Sequence, residues 1–87
     1  MVMKNYEFDS DLLAERIRQA IKDSGMSRRK VSKTLHIGYG SICYWCQGRT
    51  FPSIDNLARF AVLTGHTVDW FCGLEWGNDI QRDISSA

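Results

Sequence analysis

Residues 27–50 read SRRKVSKTLHIGYGSICYWCQGRT. On a helix, Val31 and Leu35 stand four apart and share one face, and Ile42 and Trp45 do the same at a spacing of three. Between the pairs, His36 and Gly38 bracket a short turn around Ile37. Histidine enters the left-handed backbone region such a turn needs at modest cost. Ser32 is small, as required where two helices meet. The stretch reads as one short helix opening after Ser27 and a second from about Tyr39 to Gln47, closed by Gly48. Five apolar matches are weak evidence in a chain that is 44% hydrophobic, so the flanks must agree.

They do. Upstream, Leu13, Ile17, Ala20 and Ile21 form an apolar stripe at helical spacing from about Ser10 to Ser24. Asp9 is the expected N-cap, Phe8 is placed to pack on Leu13, and Gly25 supplies the left-handed closing residue. Downstream, Pro52 biases Phe51 away from helix, and Ser53 then caps a fourth helix. Its apolar residues are Ile54, Leu57, Ala58 and Ala61, and Gly65 ends it. Thr67 caps a short fifth helix through about Cys72, ended by Gly73. Strand signals are almost absent. The expected architecture is all-α: a compact five-helix domain over residues 10–74, between an arm at 1–9 and a tail at 75–87.

Charge is distributed unevenly along these elements. Between Arg16 and Thr50 lie eight of the eleven basic side chains and a single one of the ten acidic ones, so this segment is +7 and the remainder −6. A concentrated cation on a helix pair is what a DNA backbone selects, because each neutralised phosphate releases condensed counterions. No apolar run reaches the roughly 18 residues of a membrane span, and residues 1–10 lack the apolar stretch of a signal peptide. Three cysteines without framework spacing argue against disulfides and for a reducing cytoplasm. Cys43-Tyr44-Trp45-Cys46 invites a metal or redox reading, but zinc and iron–sulfur sites need about four converging ligands. Helical geometry splits this pair, with Cys43 outward and Cys46 half-buried. No metal, cofactor or catalytic constellation is expected.

The chain resembles the helix-turn-helix domain of phage repressors and Cro proteins, the XRE-like group of small bacterial regulators. Met26-Ser27, Ile42-x-x-Trp45-x-x-Gly48, Pro52-Ser53-Ile54-x-x-Leu57, Phe60-Ala61 and Thr67-Val68-Asp69-Trp70-Phe71 carry the resemblance, which spans about Leu12 to Leu74. Departures are Cys46, where the family usually has an acidic residue, and Ser32 and His36, where it usually has Ala and Gly. The resemblance implies a repressor-type fold and a sequence-specific transcriptional regulator that binds a palindromic duplex operator as a homodimer.

With Ile42 and Trp45 inward, Gly40, Cys43, Tyr44 and Gln47 turn outward, flanked by Tyr39 and Ser41. The resemblance places base contacts at Tyr39, Gly40 and Tyr44. Gly40 can contribute only close backbone approach, so readout falls to Tyr39, Tyr44 and Gln47, supplemented by DNA shape. Phosphate contacts are expected from Ser27, Arg28 and Arg29, from Lys33, and from Arg49 and Thr50 beyond the reading helix. Arg16 and Arg18 read as solvated or paired with acids. A dimer interface is expected at Trp70, Leu74, Trp76 and Ile80, where the domain end and tail concentrate apolar side chains. Two rival regulators remain: an antitoxin that also binds a toxin partner, and a cysteine-based redox or metal sensor.

Overall fold

A computed structural model describes residues 7–74 of the 87-residue chain. Five helices occupy it: α1 (Ser10–Ser24), α2 (Arg28–Leu35), α3 (Tyr39–Cys46), α4 (Ile54–Thr64) and α5 (Val68–Phe71), with no strand among the described residues. The all-α, five-helix architecture read from the sequence is the one observed.

Each helix start has a local cause. Asp9 Oδ1 accepts from the Leu12 amide at 3.0 Å, and Ser27, Ser53 and Thr67 cap α2, α4 and α5 in the same way. Helix α3 differs: Gly38 precedes it and no side chain caps it. Gly25 closes α1 at φ 75°, a conformation a Cβ would penalise. His36 closes α2 at φ 57°, the one non-glycine residue with positive φ among those described. The turn it starts is tied to Ser32 twice. Ile37 donates its amide to the Ser32 carbonyl at 3.0 Å, and the Ser32 hydroxyl donates back to the Ile37 carbonyl. Steric smallness is therefore only half of what Ser32 provides.

Helix α1 is the hub, packing on α3, α4 and α5, while α2 packs on α3 and α4 on α5. The expected α1 stripe is buried throughout, as are Val31, Leu35, Ile37, Ile42 and Trp45. Edge-on contacts link Trp45 to Phe60 and Phe60 to Phe71, with ring centroids 6.4 and 5.7 Å apart. Two readings need correction. Of the apolar residues assigned to α4, only Leu57 and Ala61 enter the core, joined by Phe60; Ile54 and Ala58 are exposed. Their positions on the wheel point away from α1. Cys46 is fully buried rather than half-buried, because α3 is embraced by both α1 and α2. Phe8 has an aromatic partner the sequence did not announce, Phe51, edge-on at 5.5 Å.

Candidate nucleic-acid interface

Helix α3 turns Ile42, Trp45 and Cys46 inward and presents Tyr39, Gly40, Ser41, Tyr44 and Gln47 to solvent, with Cys43 half-buried at the margin. The outward face inferred from helical geometry is thus observed for Gly40, Tyr44 and Gln47, whereas Cys43, expected to face outward, is partly covered. Its two tyrosines are each covered by an arginine. The Arg29 guanidinium carbon lies 4.4 Å from the Tyr39 ring centroid, and that of Arg49 lies 5.2 Å from Tyr44. Cation–π attraction of about 0.5–1 kcal/mol at such exposed sites holds charge directly beside the aromatic face. Backbone geometry reinforces the second pair: Arg49 donates its amide to the Tyr44 carbonyl at 2.9 Å as the chain turns back over the end of α3.

At the start of α2, Ser27, Arg29, Lys30 and Lys33 are exposed and Arg28 is half-buried. Ser27 Oγ accepts from the Lys30 amide at 3.1 Å, leaving the first amides of the helix pointing outward. Helices α1, α4 and α5 carry acid in the first turn (Asp11, Asp55, Asp69), complementing the positive end of the helix dipole. Helix α2 carries none, and instead has Arg28, Arg29 and Lys30 there. Each misplaced cation costs a few tenths of a kcal/mol up to about 1 kcal/mol. Such an arrangement opposes helix stability and suits an anion. Thr50, also exposed, follows Arg49 beyond the end of α3.

Two basic residues of α1 do something the sequence reading missed. Arg18 Nη1 donates to the Cys46 carbonyl at 2.6 Å, neutralising the end of α3, and Arg16 Nη1 donates to the Trp70 carbonyl at 2.8 Å at the end of α5. They clamp helix C-termini, where cations are favourable. Two arginines two positions apart on a helix give no sign of which carbonyl will arrive beside each.

Burial raises the Cys46 thiol above its ordinary range, opposed by the nearby charges of Arg28 and Arg18; the Cys72 thiol is raised for the same reason, with Asp69 adding to it. None of the three cysteines is in a disulfide, and among the described residues no three of His, Cys, Asp or Glu converge on a position that could hold a metal ion. No described helix is long and apolar enough to cross a membrane.

Of the residues assigned to a dimer surface, Trp70 and Leu74 are half-buried, while Trp76 and Ile80 lie outside the described residues. Trp70 is occupied within its own chain. His66 stacks on it at 3.7 Å with planes 10° apart, and the Arg16 guanidinium lies 4.6 Å over its ring. Both groups therefore lie against the same indole. His66 in turn bonds Asp23 at the end of α1, Nε2 to Oδ2, at 3.2 Å.

Comparison with known protein families, with curated proteins and with solved structures returned no match to this chain.

Proposed function

We propose that this chain is a sequence-specific double-stranded DNA-binding transcriptional regulator of the phage repressor and Cro kind. In this reading α2, the turn and α3 form the helix-turn-helix, α3 lies in the major groove, and two copies bind a palindromic operator. Tyr39, Tyr44 and Gln47 read base edges, with Gly40 and Ser41 allowing close approach and Cys43 at the edge of the contact. Arg28, Arg29, Lys33, Arg49, Thr50 and the Ser27 end of α2 hold phosphates. Repression follows from occupying the operator and excluding polymerase.

The observation that carries the proposal is the inverted charge at the start of α2, set beside an uncapped, tyrosine-bearing α3. Three cations crowd the positive end of a dipole while the other capped helices put acid there. A phosphate at that position relieves the conflict, and the free amides of the first turn supply its hydrogen bonds.

Fluorescence anisotropy of a labelled random duplex, titrated across salt concentrations, tests this. Wild-type affinity should fall steeply with salt. Arg28→Ala and Arg49→Ala should each weaken binding to all sequences and flatten the logarithmic salt slope by about one. A wild-type protein with no affinity at low ionic strength would overturn the proposal.

A further inference from the structure

Helix α4 leaves an apolar stripe outside the core. Ile54 is 80% exposed and Val62 85% exposed, and Ala58, also exposed, stands midway between them. Spacing of four and eight residues aligns the three along one side of the helix. Alongside runs an open cleft of about 410 Å3, lined by Leu35, Ala58, Arg59, Val62 and Leu63. Arg59 forms its polar wall: Nη1 donates to Asn56 Oδ1 at 3.2 Å and Nη2 to the Leu35 carbonyl. Its guanidinium is fixed in place with further N–H groups to spare. Asp55, one turn earlier and exposed, lies on the same edge of the stripe.

We infer that this side of α4 is where a second copy of the chain docks, helix against antiparallel helix, about a two-fold axis passing Ala58. The inference rests on the reading above, in which two copies share one operator. Three features make the face complementary to itself. Ala58 meets its own copy at the axis, where a small side chain lets the helices approach closely. Ile54 comes level with Val62 of the second copy, so each apolar end covers the other and the adjacent cleft gives their side chains room. At 1.5 Å per residue, Asp55 falls within about 3 Å along the axis of Arg59 of the second copy, and the two-fold keeps both on the same edge. Opposite charges then flank the apolar seam twice. An unrelated partner has no reason to carry that alternation; a second copy carries it by symmetry.

Sedimentation equilibrium of the full chain under reducing conditions tests the surface. Wild type should show a monomer–dimer equilibrium, and Val62→Lys should raise its dissociation constant by about 100-fold with an unchanged circular dichroism spectrum, since the site is exposed and two lysines enter each interface. Asp55→Arg, which places like charge beside Arg59 of the second copy, should weaken it about tenfold. Ala58→Cys should gain a dimer band with a short bismaleimide over the wild-type background from Cys43, and adding Val62→Lys should remove it. An equal dissociation constant for Val62→Lys and wild type, no added band for Ala58→Cys, or a wild type that stays monomeric on DNA would each overturn the inference. A dimer lost in Val62→Lys by a protein that ignores DNA would end the DNA proposal and leave this surface standing. Operator binding by a protein whose Val62→Lys variant still dimerises normally would do the reverse.

Discussion

Tyr44 is exposed to about half its area, carries Arg49 over its ring and accepts the Arg49 amide at its carbonyl. In the proposed complex its hydroxyl and ring edge meet bases while the arginine beside it meets phosphate. Removing the ring should therefore act mainly on discrimination. Tyr44→Ala is expected to lower the preference for a selected operator over random duplex by about tenfold, roughly the 1–3 kcal/mol of one base contact, with a smaller loss on random DNA. Equal losses on both would contradict its assignment. Another residue-scale expectation concerns acid. Hydrogen bonds from Gln19 and then His66 hold the Asp23 carboxyl below its ordinary range. A depressed carboxyl stabilises the fold above its unfolded value, and that contribution disappears as pH falls through the lower folded one. Urea midpoints of wild type and Asp23→Asn should differ above about pH 4 and converge toward pH 2. A gap that stays constant across that range would show that Asp23 acts through packing alone.

At the scale of the element, α2 trades stability for charge. Ser27 already supplies the first half of a capping box, and position 30, where the second half would be a glutamate, holds lysine. Lys30→Glu completes the box and removes a cation from the positive end of the dipole. It should stabilise the fold by about 0.5–1 kcal/mol in urea denaturation while weakening binding to any duplex. The opposite signs matter, because a lysine retained for helix stability would give a loss in both measurements. Helix α3 presents the complementary case. With glycine before it, glycine as its second residue and no side-chain cap, it has little stability of its own. Its position is imposed from outside, by the Ser32–Ile37 exchange at its start and the Arg18 clamp on Cys46 at its end.

For the whole molecule, α1 is the element on which the others are assembled, and the return of the chain after α5 completes that assembly. Gly73, at φ 78°, brings its backbone so close to α1 that an added Cβ would lie 2.7 Å from Leu12 Cδ2. Gly73→Ala meets both a disfavoured backbone conformation and a contact that Leu12 must yield to. Destabilisation of about 1–2 kcal/mol is expected, read as a lower urea midpoint without change in the slope; an unaltered midpoint would mean that this junction is not part of the cooperative unit. The Arg16–Trp70–His66 stack joins α1 to the same end of the domain. Trp70 is thus engaged internally, whereas Ile54 and Val62 on α4 are the most exposed large apolar side chains among the described residues.

Helix boundaries were legible from one chain because their causes are local. Asp9, Ser27, Ser53 and Thr67 each satisfy an amide three residues away, Gly25 and Gly65 each supply a left-handed closure, and both kinds of signal are read within one turn. The outward face of α3 was legible too, since burying Ile42 and Trp45 leaves helical geometry no choice about Tyr44 and Gln47. Partnerships between distant residues were not. That Arg18 would find the Cys46 carbonyl, Arg59 that of Leu35, and Phe8 the Phe51 ring depends on how helices far apart in sequence pack. Nor could apolar character alone tell that Ile54 would face water while Phe60 filled the core. The sequence by itself determined where each helix starts and stops and which charges it carries. Only the tertiary structure decided which carbonyls those charges meet and which apolar side chains stay outside, because both depend on angles between helices that no local pattern encodes.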